Sequence, residues 1–180
     1  MADSEDVSAA EVRAGLPAHL ARLWRYGLVL SRRGDIAEDL VQATCLRALE
    51  RSVQFVPGTR LDRWLFSILH SIWLNEVRAG AVRAGKGFVD AETELVDDGA
   101  RTIEAHVMAN QVLRQVEALP EAQRATVFLC YVEGMAYREV AEILAIPIGT
   151  VMSRLAAARA KIAETAGAPA PAASKGSSAR

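Results

Sequence analysis

The sequence predicts an all-α protein: two small helical domains joined by a flexible acidic linker, the C-terminal one a helix-turn-helix, winged-helix-like but without a wing. Three observations lead there. Apolar residues recur at helical spacing along most of the 180 residues, and strand-like alternation holds nowhere for long. The glycine-bearing AGAVRAGKG is followed by Asp90, Glu92, Glu94, Asp97, Asp98 and Glu104 with little apolar periodicity, a break between two helical blocks. Finally, YREVAEILAIPIGTVMSRLAAARAKI carries two amphipathic stripes across the short turn Ala145 to Pro147. The expected division is an N-terminal segment 1–15, a first domain 16–85, a linker 86–110, a second domain 111–165 and a tail 166–180.

In chain order, Asp35 is expected to cap a helix through Arg51, with Ala37, Val41, Cys45 and Ala48 to Leu49 as its core stripe. Pro57 and Gly58 stop it, and a second helix runs from about Arg60 to Val82. In the second block, Pro120 is placed at the first position of a helix that ends at Gly134. Helices over Tyr137 to Leu144 and Thr150 to Ala163 follow, the latter with Thr150 as its cap. The tail AGAPAPAASKGSSAR cannot bury enough surface to offset its ordering entropy and is expected to be disordered.

The formal net charge of -1 excludes a uniformly basic nucleic-acid glove, so charge-driven binding must be local. Residues 55–88 carry five basic and two acidic side chains, whereas 89–110 carry one and six. Cys45 and Cys130 are too few for a disulfide framework and suit a reducing compartment. The acidic N-terminus lacks the apolar core of a signal peptide, and no apolar run approaches the roughly 20 residues that span a bilayer, so a cytosolic protein is expected.

Three faces could carry function. On the first helix Asp39, Gln42, Leu46 and Leu49 fall on a stripe displaced from the core face, suited to docking another helix; the two leucines could equally be ordinary core. Along the second helix Arg60, Arg63, Ser67, Ser71, Leu74, Asn75 and Arg78 share one side, a surface for phosphates, with Trp64, Trp73 and Phe55 nearby to stack on unpaired bases. A solvated polar face beside core tryptophans is the alternative. On the last helix Ser153, Ala156, Ala157 and Ala160 lie opposite the core stripe, flanked by Arg154 and Lys161 on one side and Met152 and Arg159 on the other. Small residues permit close approach to a groove and cations reach its phosphates, although helical hairpins also exist purely as structure. His19, His70 and His106 show no metal-ligand spacing, there is no phosphate-cradling glycine loop, and no nucleophile and base can be paired. Neither an enzyme nor a cofactor or metal is expected.

DLVQATCLRAL, then F-x-P-G-x-x-L-x-x-WLFSIL with Arg78, then LPEAQRATVFLCYVEGMAYREVAEILAIPIGTVMSRL resemble, in order, the signatures of extracytoplasmic-function (ECF) sigma factors of bacterial RNA polymerase. The resemblance spans about residues 16–163. It implies that the first domain binds core polymerase and the promoter -10 element, and that the second reads the -35 element and meets the polymerase flap. Asp39, Gln42 and Leu49, with Leu46 on the same stripe, match positions that dock on the clamp helices of the largest subunit. The loop from Val53 to Arg60, with Phe55, matches the segment that captures a flipped base. The helix bearing Arg60, Arg63, Trp64, Ser67, Ser71, Asn75, Arg78 and Arg83 matches the one that holds the melted strand. Gly149, Thr150, Met152, Ser153, Arg154, Ala157, Arg159 and Lys161 occupy the -35 reading helix. Ser71, Asn75, Met152 and Ala157 depart from the residues usual in the family, and Ala136 replaces a common Ser cap. The implied partners are core polymerase, promoter DNA and an anti-sigma factor that would hold the protein at the inner membrane face without its own insertion. The implied regulon answers stress or another signal. A sigma-like decoy that binds an anti-sigma factor without reading promoters is the rival reading.

Overall fold

The structure, a computed structural model, describes residues 2–84 and 115–165; the expected linker and tail lie outside the described residues. Helix α1 spans Ala2–Ser31, continuous through residue 15, and Val12 and Leu16 belong to the buried core. It ends where Arg32 turns left-handed, at φ 57°. Helix α2, Gly34–Glu50, enters one residue before Asp35, with Arg33 as an extended cap whose side chain makes no capping bond to the helix backbone. Asp35 therefore does not cap α2. It lies inside the first turn, where a negative charge suits the helix dipole, and accepts two hydrogen bonds from the Arg33 guanidinium at 3.1 and 2.5 Å. The two helices approach closely at Gly27, where a Cβ would stand only 3.1 Å from the Ala37 backbone.

A 3-10 turn, Ser52–Gln54, and the left-handed Gly58 (φ 78°) reverse the chain into α3, Leu61–Ala84. Leu65, Phe66, Leu69 and Ile72 on α3 close the core over Leu23, Tyr26 and Leu30 of α1. In the second block Pro120 is the cap of α4, Glu121–Val127, and not its first residue. The helix widens into a π-turn at Phe128–Val132 and ends at the left-handed Gly134 (φ 66°). Helix α5 is Tyr137–Leu144. Ala145 at φ 52° turns the chain into α6, Ile148–Thr165, which starts two residues earlier than expected. Pro147 O accepts the N–H of Thr150 at 2.9 Å, so Thr150 sits within the first turn and not at the cap. Ala136 caps α5 without a side-chain acceptor; only the return bond exists, from its N–H to Glu139 Oε2 at 2.8 Å.

The two blocks share one core. Tyr26 of α1, fully buried, stacks on Phe128 of the second block with ring centroids 5.6 Å apart and meets Phe66 edge-on at 5.3 Å. Arg124, 5% exposed, reaches from α4 to the last carbonyls of α1, donating to Val29 O at 2.5 Å and Leu30 O at 3.3 Å, and to Leu119 O at 2.9 Å. A helix C-terminus leaves such carbonyls without intrahelical donors and carries negative dipole charge, so a buried guanidinium satisfies both. Arg32 similarly donates to Glu117 O.

His70 is buried beside this junction, its Nδ1 3.1 Å from the Tyr26 hydroxyl. Burial, with the positive charge of Arg154 adding to it, lowers the His70 pKa from 6.5 to about 4. An unfolded chain therefore binds the proton more readily between these values. The stability this neutral imidazole protects is complete above about pH 6.5 and lost as pH falls toward 4. The unfolding free energy of the native chain, from urea titrations, should drop across that window by about 3 kcal/mol, and His70→Gln should flatten the drop.

Candidate nucleic-acid and polymerase-binding faces

The core stripe of α2 is Ala37, Leu40, Thr44 and Ala48. That leaves Asp39, Gln42, Leu46 and Leu49 together on the solvent side. Leu46 is 59% and Leu49 41% exposed, which settles the choice against ordinary core leucines. Sequence reasoning missed their neighbours on α1. Leu20 and Trp24, both exposed, line a shallow groove with Glu38, Val41 and Gln42. The available signal was two large apolar residues four apart, on one face of a helix whose core positions are Leu16 and Leu23.

Along α3 the predicted polar face divides. Ser71, Asn75 and Arg78 are exposed, and Ser67 turns its hydroxyl back to Trp64 O at 2.7 Å. The Arg83 side chain lies outside the described residues. Arg60 and Arg63 are engaged by the second block: Arg60 donates to Glu139 at 2.9 Å, and Arg63 bonds Glu142 and stands 3.7 Å from Glu139. The basic surface also has an acid at its edge that the helical projection left out. Asp62 accepts from Arg60 at 2.8 Å and Arg22 at 3.1 Å. Burial raises the Asp62 carboxyl, but hydrogen bonds from Arg60, Arg22 and the Arg63 N–H outweigh it and bring it down to about 2. Arg22 meanwhile bonds Glu133 at 2.6 Å and lies 5.6 Å above the Phe66 ring.

The aromatics behave differently from one another. Phe55, expected to offer a ring to an unpaired base, is only 2% exposed. The 3-10 turn folds it inward, where its carbonyl accepts the Ser8 hydroxyl at 3.0 Å and its ring packs 5.4 Å from Trp64. It is a floor to the site and not a stacking platform. Trp64 is half-buried at the wall of a cleft of about 360 Å3 bounded by Val56, Thr59, Arg60, Arg63, Glu142 and Ile143 among others. Trp73 donates its indole N–H to Glu121 at 2.9 Å.

On α6, Gly149, Met152, Ser153, Ala157, Arg159 and Lys161 are exposed, so the predicted small-residue strip faces outward. The Lys161 ammonium donates to Ala118 O at 3.1 Å and the Arg159 Nε to Leu155 O at 3.3 Å. Thr150 is half-buried and its carbonyl accepts the Ser153 hydroxyl at 3.0 Å. Arg154 departs from the expected pattern. It is half-buried, and its charge acts on Tyr26 and His70 across the junction, because its position on α6 turns toward α1 and α3. Among the described residues no group of His, Cys, Asp and Glu could hold a metal ion, and no single helix is long and apolar enough to cross a membrane.

The structure thus places a strip of small residues on the outer side of the second helix of a helix-turn-helix, and an arginine-bearing face beside a tryptophan-walled cleft. The model of sigma-70 region 2 matches residues 17–82 and that of sigma-70 region 4 matches 109–162. The chain is 30% identical over 151 residues to the ECF RNA polymerase sigma factor EcfG of Rhodopseudomonas palustris, covering 84% of this chain and 82% of that one. The chain belongs to the ECF RNA polymerase sigma factors. A second member, SigL of Mycobacterium tuberculosis, is 31% identical over 82% of this chain and 84% of its own. A solved structure of the sigma factor RpoE in complex with the anti-sigma factor NepR, from Bartonella quintana, superposes with a TM-score of 0.69 at 26% identity, over 86% of this chain and 96% of that one. This sigma factor is a non-enzymatic initiation factor, directing RNA polymerase to promoters through its helix-turn-helix and region 2.

Proposed function

We propose that this sigma factor divides promoter recognition between its two regions, with α2 as the polymerase anchor. Asp39, Gln42, Leu46 and Leu49 dock on the clamp helices of the largest subunit, and Leu20 and Trp24 extend that surface onto α1. Arg60, Arg63, Ser67, Ser71, Asn75 and Arg78 hold the melted -10 strand, and the cleft walled by Trp64 receives an extruded base. An opened, unstacked base trapped in a pocket keeps the duplex from reclosing. Met152, Ser153, Ala157 and Arg159 face the -35 duplex, with the N-terminus of α6 set against a phosphate.

The observation that carries this reading is the placement of Arg60, Arg63 and Ser67 of the polar α3 face in the lining of the aromatic cleft, to which the exposed acid-amide-leucine stripe of α2 does not contribute. One molecule can then hold polymerase and DNA at once. With Met152 and Ala157 in the reading helix, the -35 preference leans on DNA shape as much as on base contacts. An anti-sigma partner is expected in the cytoplasm or at the inner membrane face, and the similarity to RpoE, which was solved with NepR, supports it.

Run-off transcription with purified core polymerase on fragmented genomic DNA of the host, with starts read by sequencing, tests the assignment. New starts that share a pair of upstream elements are expected. A protein that bound core polymerase but produced no discrete starts would instead be a sigma-like decoy.

A further inference from the structure

We infer that the isolated chain masks its own strand-binding face, with Glu139 and Glu142 of α5 standing in for DNA phosphates on Arg60 and Arg63. The inference rests on the assignment of α3 to the -10 strand and goes beyond it to the state of the protein before polymerase. Arg60 bonds Glu139 at 2.9 Å, Arg63 bonds Glu142, and Arg63 lies 3.7 Å from Glu139. Carboxylates on guanidinium forks reproduce the charge and the planar oxygen geometry of a phosphate contact. The same helix narrows the neighbouring cleft, because Glu142 and Ile143 contribute to the lining it shares with Trp64. Arginines and cleft, the two parts assigned to the melted strand, are thus covered by one element of region 4.

The mask is one-sided. Ser71, Asn75 and Arg78 farther along α3 remain exposed, and so does the α6 strip at Met152, Ser153 and Ala157. In the closed state the chain keeps its duplex-reading surface available while its strand site is blocked. Because acids and arginines belong to one chain, a DNA strand must displace a partner held at high effective concentration. The contact is suited to opening. Arg60, Arg63 and Glu142 are 48%, 34% and 65% exposed and Glu139 17%, so water and salt screen the Arg63–Glu142 pair most and the Glu139 contacts less.

The test uses the full chain without polymerase. Its two readouts are the radius of gyration by small-angle scattering and the affinity for a labelled single-stranded oligonucleotide by fluorescence anisotropy. Glu139→Gln with Glu142→Gln keeps an oxygen at position 139 for the Ala136 N–H and removes both charges. This variant should bind the oligonucleotide about three- to tenfold more tightly, the range expected when two screened pairs are lost, with a radius of gyration close to that of the native chain because Tyr26, Phe128 and Arg124 still join the two blocks. Glu142→Gln alone, at an exposed site with no capping role, should raise the affinity by less. Adding Arg60→Ala and Arg63→Ala to the double variant should cancel the gain in affinity. If the Gln variants bind no better while the Ala changes weaken binding, the arginines hold DNA but are not masked, and the inference falls alone. If neither set alters binding, the strand-site assignment falls and takes the inference with it.

Discussion

Replacing Arg63 and Arg78 together with Ala is expected to reduce promoter opening by about two to four orders of magnitude at moderate salt, since each charge-assisted phosphate contact contributes about 1.5–3 kcal/mol. Arg78 is exposed, and Arg63 becomes available to DNA once Glu142 is displaced. The salt dependence carries the sharper signature. Each lost contact to a single strand should lower the slope of log affinity against log salt by about 0.7. Permanganate footprinting of the open complex at several salt concentrations reads both quantities. Unchanged opening with an unchanged slope would remove the α3 face from the DNA site. The substitutions should leave folding largely intact, because neither residue belongs to the buried core.

Asp39→Ala with Gln42→Ala should weaken binding to core polymerase about ten- to a hundredfold, the range of truncated interface anchors, with thermal unfolding nearly unmoved. Both side chains stand in solvent, away from the Ala37, Leu40, Thr44 and Ala48 stripe that packs α2 against its neighbours. Competition for core against a second sigma factor, alongside a melting curve, separates the two effects. Trp24→Ala is the companion variant on α1: a loss of similar size would extend the docking surface across both helices, and normal binding would confine it to α2. Wild-type affinity for the Asp39 and Gln42 variant would place the polymerase surface elsewhere.

Stability of the folded chain should also answer to pH. The acid weakness expected from His70 lies between about pH 6.5 and 4, whereas the Asp62 carboxylate, brought down to about 2, contributes stability that is lost only below the ordinary carboxylate range. His70 and its Tyr26 partner lie at the junction of the two blocks, so the higher window reports the junction itself.

The all-α class and the order of the helices from α2 onward were legible in the sequence, because amphipathic periodicity and the Pro and Gly breaks are local signals; the long α1, Ala2–Ser31, was not anticipated. The grouping of candidate residues into stripes was legible too: spacing alone sorts Asp39 and Gln42, or Ser153 and Ala157, onto one side of a helix. Local signals were weaker at the helix ends. Left-handed Arg32 and the Pro147 carbonyl start α2 and α6 ahead of Asp35 and Thr150, so neither side chain is a cap. Which stripes face water is not a local property. Leu46 and Leu49 are exposed because the core volume is already filled from α1 and α3, and Phe55 is buried because a 3-10 turn folds it under Ser8. Helical spacing gives no information about charges from a segment 79 residues away, so Arg60 and Arg63 read as open cations and are found paired with Glu139 and Glu142. The sequence by itself determined the helices from α2 onward to within their ends, the region signatures and the residue types on each face. Tertiary packing alone decided that the two blocks share a core through Tyr26, Phe128 and Arg124 and that one face covers part of another, since burial and ion pairing depend on distance in space and not along the chain.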